Sequence, residues 1–126
     1  MDKEKFQLEI LFRSATRVLY NSISTPSGLS EWFADNVNIK NDLFIFIWDD
    51  SEETARLLSK KSGEFVRFQW LEDEGTDYFF EIRIKTDPMT KEVALYITDF
   101  AEPDEKEESM QLWESQVDQL KRILGG

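Results

Sequence analysis

Residues 103–124 read PDEKEESMQLWESQVDQLKRIL, and this stretch decides the architecture. Met110, Trp113, Val117, Leu120 and Leu124 recur at steps of three or four, while Glu107, Glu108, Glu114, Asp118, Lys121 and Arg122 take the other angles. That spacing predicts one long amphipathic helix. The acidic run from Glu102 to Glu108 suits the positive end of its dipole, and Asp104 with Glu107 is placed for a capping box. An apolar stripe of this length has to be covered, and the chain ahead of it reads almost entirely as strand. A lone terminal helix behind many strands implies a sheet curved enough to receive it, with a concavity between the two.

Upstream, Phe6, Leu8, Ile10 and Phe12 alternate with Gln7, Glu9 and Arg13, as in a half-buried strand over residues 5–13. Ser14 is placed to cap a short helix carrying Val18, Leu19 and Ile23, and Thr25-Pro26 supplies the cap and first-turn proline of a second, which ends near Leu29 to Phe33. Short strands are then expected at 35–40 and 43–48, separated by the turn Asn41-Asp42. Leu43-Phe44-Ile45-Phe46-Ile47-Trp48 has no polar position, so either parity could face a core. A more polar strand runs through Ala55, Leu57 and Leu58, followed by one at 65–71 with Val66, Phe68 and Trp70 on one face. Tyr78, Phe80, Ile82 and Ile84 mark the next strand, and Val93, Leu95 and Ile97 the last. The expected fold class is α+β, in the order β-α-α-β6-α: a curved antiparallel sheet wrapped around a long C-terminal helix, as a single domain over residues 1–126.

Composition removes several function classes. With 15 Lys and Arg against 26 Asp and Glu, a net charge of −11 repels a phosphate backbone, so nucleic acid is not expected as a partner. The chain has no cysteine and no histidine. Disulfides, thiolate metal sites, Ser-His-Asp triads and His-rich zinc sites are therefore unavailable within it, and no metal, cofactor or catalytic residue is assigned. Asp99 and Glu81 illustrate the carboxylate acid–base chemistry that remains, although solvated or ion-paired surface roles are the ordinary fate of such groups. No glycine-rich phosphate loop occurs. The N-terminus shows neither a signal-peptide core nor a membrane span, and the reading is cytoplasmic.

Two segments, Leu29-Ser30-Glu31-Trp32-Phe33-Ala34-Asp35 and Trp113 to Leu124, together with the element order, resemble the START-like (SRPBCC) superfamily and its helix-grip fold. The resemblance is strongest to the subgroup related to activators of the heat-shock protein 90 ATPase. Asn41-Asp42 stands where many relatives have a glycine pair. The resemblance implies a noncatalytic domain that encloses a hydrophobic small molecule or lipid between sheet and terminal helix. A protein-interaction or chaperone-regulator-like module, with homodimerisation as its simplest form, is the alternative, and a cyclase- or aromatase-like enzyme is a third.

Aromatic content points to where a ligand would sit. Trp32, Phe33, Phe68, Trp70, Phe80, Ile82, Leu95, Ile97, Trp113 and Val117 are the candidates for lining a cavity, against the alternative that they fill the core. Arg67, Arg83 and Asp99 are candidate polar groups near its mouth, though alternation puts the arginines on the outer face. Phe44, Phe46, Trp48 and Phe79 are the candidates for an exposed apolar patch contacting another protein or a second copy. Charge is uneven: Asp99 to Asp118 is acidic, while Arg56, Lys60, Lys61, Arg67, Arg83 and Lys85 gather in the middle strands.

Overall fold

The computed structural model describes residues 2–125. Its elements run β1 (Glu4–Phe12), α1 (Thr16–Ser24), α2 (Pro26–Leu29), β2 (Asn36–Lys40), β3 (Leu43–Trp48), β4 (Ser51–Lys61), β5 (Phe65–Trp70), β6 (Phe80–Thr86), β7 (Val93–Ala101) and α3 (Lys106–Leu124). A short 3₁₀ turn, Leu71–Asp73, follows β5. The strands form one seven-stranded antiparallel sheet in the order β1-β7-β6-β5-β4-β3-β2. Consecutive strands from β2 to β7 are neighbours, and β1 closes against β7 with Phe6 opposite Asp99 and Phe12 opposite Val93. The two short helices therefore carry the chain from one edge of the sheet to the other. This is the expected helix-grip arrangement of a curved sheet around a terminal helix.

The helix ends follow the local chemistry in part. Thr25 caps α2 by accepting from the Gly28 amide at 2.9 Å, with Pro26 in the first turn. The chain passes so close to α1 there that a Cβ on Gly28 would run into the Asn21 carbonyl and the Ser22 Cα. By contrast the cap position of α1 is Ala15, not Ser14, and no side chain caps that helix. The capping box expected from Asp104 and Glu107 is not formed either: α3 starts after Glu105, whose side chain makes no cap bond. Gly125 ends α3 in the left-handed region at φ 80°, and the amide there bonds back to the Lys121 carbonyl.

Phe6, Phe44, Phe46, Val66, Phe68, Phe80, Ile82, Leu95 and Ile97 point from the concave face into one core with Leu19, Ile23, Leu29, Trp113, Val117 and Leu120 from the helices. Phe33, just beyond α2, is the hub of the aromatic packing. Its ring centroid lies 4.9 Å from Phe46, 5.5 Å from Trp113 and 5.8 Å from Phe80. Among the described residues every buried side-chain nitrogen or oxygen has a hydrogen-bond partner.

The convex face is polar and ion-paired. Glu81 lies between Arg67, at 2.7 Å, and Arg83, at 3.0 Å, and the two guanidinium groups stack over Phe79 and Phe65, each 4.2 Å from the ring centroid. Burial alone would raise the Glu81 pKa, yet hydrogen bonds from Arg83 and Arg67 and their charges outweigh it and hold the carboxyl below its ordinary range. Glu81 thus belongs to an ion-pair network on the outside of the sheet and not to a site for proton transfer.

Candidate functional site

At the end of the groove where β3, β4 and β5 meet the N-terminal half of α3, the sheet and helix part to leave a cleft of about 550 Å³. This size lies within the usual ligand-pocket range of ~300–1,000 Å³. Phe33, Trp48, Trp70 and Trp113 give it an aromatic wall, so three of the chain's four tryptophans reach it. Ser109, Leu112 and Gln116 contribute from α3.

The wall is held by polar bonds at its back. The Phe33 carbonyl accepts two of them, from Trp48 Nε1 at 3.1 Å and from Gln116 Nε2 at 2.9 Å, tying β3 and α3 to the turn after α2. Trp113 Nε1 donates to Asp99 Oδ2 at 2.8 Å, and the Phe100 amide donates to Asp99 Oδ1 at 2.7 Å. These bonds fix both indoles while leaving ring surface to line the cleft.

Carboxyl groups surround this wall. Asp50, Glu53, Glu72, Asp73 and Asp99 all line the cleft, against one cation, Lys3, among the described residues. Lys3 pairs with Asp73 at 3.3 Å, and its ammonium lies 5.1 Å from the centre of the Tyr78 ring. Burial raises the Asp99 carboxyl to about 6, against the bonds from Trp113 and the Phe100 amide and the charge of Lys3, with Asp73 adding to the rise. Glu53 is also shifted upward, by burial and then by Glu72. A carboxyl near 6 can give or take a proton at neutral pH. Both oxygens of Asp99, however, are already engaged in holding the wall. Among the described residues no group of three or more acidic side chains is placed to hold a metal ion.

The expected cavity residues divide. Phe33, Trp70 and Trp113 line the cleft, Phe33 and Trp113 as core residues at 4% and 5% exposure. Phe68, Phe80, Ile82, Leu95, Ile97 and Val117 are core residues at 0–1% exposure. Trp32 is buried too, donating from Nε1 to the Ser22 carbonyl at 2.9 Å and so locking the loop after α2 onto α1. The space behind Trp113 is occupied by Phe33 and Phe80 rings, so the opening lies in front of this tryptophan and not beneath it.

The set expected to form an outward patch needs correction. Phe44 and Phe46 are 2% and 0% exposed, because β3 turns this parity toward the core and leaves Leu43, Ile45 and Ile47 half-buried on the convex face. Trp48 lines the cleft instead, and Phe79 reaches the cleft's edge while its ring stacks under the Arg67 guanidinium of the convex face. Trp48 shares the inward parity of Phe46 but stands at the strand's end, where the core gives way to the opening. The acidic rim, Glu53 and Glu72 above all, was not among the expected site residues. The one sequence signal for it is Glu53 itself, which continues the inward parity of Ala55 toward the strand's beginning.

A larger depression, about 680 Å³, lies at the opposite end of the groove, lined by Leu11, Phe12, Arg13, Thr90, Lys91, Glu92, Val93 and Lys121 among others. It contains no tryptophan, and cations outnumber carboxylates. No helix in the described residues is long and apolar enough to cross a membrane.

Comparisons with known proteins agree with this geometry. Among curated proteins none matches the chain. A Bacteroides fragilis protein solved by NMR is 39% identical, over 98% of this chain and 92% of that one, with a TM-score of 0.69. The Aha1 dimer from Colwellia psychrerythraea shares the fold at 13% identity over 96% of each chain, with a TM-score of 0.82. CalU16 from Micromonospora echinospora does so at 12% identity, over 96% of this chain and 74% of its own, with a TM-score of 0.73. A sequence profile of the START-like superfamily domain matches residues 1–126. With its terminal helix gripped by one curved antiparallel sheet, the chain belongs to the START-like superfamily.

Proposed function

We propose that the protein binds a small molecule with a substantial apolar surface, noncatalytically, in the cleft between the sheet and the N-terminal half of α3. One observation carries this reading: three tryptophans and Phe33 converge on an opening of about 550 Å³ while the rest of the aromatic core is closely packed. The indoles of Trp48 and Trp70 are only partly buried at this opening, which is costly in water, and an apolar ligand recovers that cost. Asp99 and Gln116 stiffen the wall, so little ordering is required on binding.

The test is to plug the cleft from its polar side. Ser109 lines it from the first turns of α3 and is half-buried, so Ser109→Trp fills the opening without touching the core. Native mass spectrometry of the purified protein, and titration with the neutral dye Nile red, are expected to show a bound molecule in the wild type and none in the variant. Equal dye binding by both proteins would reject the cleft as the site.

A second reading, an interaction surface, draws on Leu43, Ile45 and Ile47, half-buried along the convex side of β3 next to the edge strand β2. Its simplest form is a homodimer. Sedimentation of the wild type and of Ile45→Lys separates the two readings: a dimer lost in the variant supports an interface, and a monomer in both removes it.

A further inference from the structure

We infer that the molecule taken by the cleft is an organic cation, an ammonium group carried on an apolar or aromatic body. The inference rests on the cleft being the ligand site, and it specifies which chemistry that site selects.

The lining is lopsided in a way that a neutral ligand does not explain. Five carboxyl groups face an opening walled by Trp48, Trp70 and Trp113, and among the described residues its one cation, Lys3, is already paired with Asp73 at 3.3 Å. Glu53 and Asp99 both hold their protons more tightly than free carboxyls do, burial being the first cause in each. Carboxylates gathered beside a low-dielectric wall repel one another, and while they stay ionised a positive charge relieves that repulsion. Indole rings attract the same charge through their electron-rich faces, most strongly once water is displaced. Wall and rim therefore favour one ligand class: apolar surface for the rings and positive charge for both.

The surrounding field has the same sign. An adjoining depression of about 510 Å³ shares Lys3, Phe100, Ser109 and Leu112 with the cleft and adds Glu102, Glu105 and Glu108. On a chain of net charge −11, this end of the groove presents a continuous negative approach that draws cations in and turns anions away. Fatty acids and phosphate-bearing lipids are disfavoured on that ground, which narrows the broader expectation of a hydrophobic molecule or lipid. A bare metal ion is disfavoured as well, since no three acidic groups of the described residues converge on one point and the wall is aromatic.

The experiment uses three probes of one carbon skeleton: phenylbutylamine, phenylbutanol and phenylbutyrate. Calorimetry at low ionic strength is expected to rank the amine about tenfold tighter than the alcohol, with the carboxylate weakest. The double variant E53Q/E72Q, altered at two exposed rim positions, is expected to lose most of that preference for the amine and to bind the alcohol as before. A control, E114Q/D118N, removes the same net charge from the exposed side of α3 and is expected to leave the ranking intact. Amine and alcohol binding equally would overturn the inference while leaving the cleft reading in place. Failure of all three probes to bind would reject the cleft reading and the inference together. Equal loss in the control variant would show that overall charge and not the rim sets the preference, and would overturn the inference alone.

Discussion

The two ends of the groove beneath α3 differ in lining more than in size. The depression beside Arg13, Lys91 and Lys121 is the larger, about 680 Å³ against about 550 Å³, yet its walls are mainly polar side chains that water already satisfies. The smaller cleft carries three tryptophans and a ring of carboxyls. Volume alone therefore says little about where a ligand binds. What distinguishes the second end is the partly exposed rings of Trp48 and Trp70 and, among the described residues, five carboxyls against one cation.

The largest expected effect tests whether the aromatic end is also the structural keystone. Phe33→Ala removes the ring that joins Phe46, Trp113 and Phe80 and loosens the carbonyl that holds Trp48 and Gln116. A loss of about 3–5 kcal/mol in urea denaturation is expected. A loss below about 1 kcal/mol would show that the cleft end is not braced as described.

A smaller and pH-dependent effect is expected at Asp99. Its folded pKa, raised to about 6 by burial, lies above that of an unfolded aspartate. Between roughly pH 4 and 6 the folded state keeps a proton that the unfolded state gives up. The stability owed to Asp99 is therefore complete below that window and falls as pH rises through about 6. Asp99→Asn abolishes this titration and keeps the bond from Trp113 to its one remaining oxygen, but loses the bond from the Phe100 amide. Thermal melts should show the variant more stable than wild type by about 1–2 kcal/mol at pH 8, with no such gain at pH 4. A gain that does not depend on pH would mean that the carboxyl is not poised in this way.

The smallest effect belongs to the other end. Lys121 lies 5.6 Å from the centre of the Phe12 ring and lines the basic depression. Lys121→Ala is expected to cost less than about 1 kcal/mol and to leave amine binding at the far cleft unchanged. A large loss of either kind would break the contrast between the two ends.

Much of the fold was legible because its signals are periodic. Alternation along Phe6 to Phe12 and along Phe80 to Ile84, and the three-to-four spacing from Met110 to Leu124, each name an element and its buried side. The strand Leu43–Trp48 was legible as a strand but not in orientation, since both parities are apolar; Phe44 and Phe46 turn inward because the core lies on that side. Leu58 shows the same limit from another cause. A register shift between Leu57 and Ser59 breaks the alternation of β4 and leaves Leu58 45% exposed.

Of the candidate site only the aromatic half was legible. Phe33, Trp70 and Trp113 stand out in the sequence, but nothing local separates them from Phe68 or Ile82, which close the core. Periodicity reports which face a side chain takes, not how far along the groove that face remains covered. Trp48 and Phe46 share a parity and differ only in depth.

By itself, then, the amino-acid order determined the elements, their sequence, the gripped helix and the absence of histidine, cysteine and phosphate-loop chemistry, because each of these is a property of residue type or of short spacing. Only the tertiary structure decided where sheet and helix part, and that Glu53, Glu72 and Asp99 meet the same three tryptophans. These residues come from separate strands, a turn and a helix, and their convergence follows from sheet register and curvature, which no stretch of sequence encodes alone.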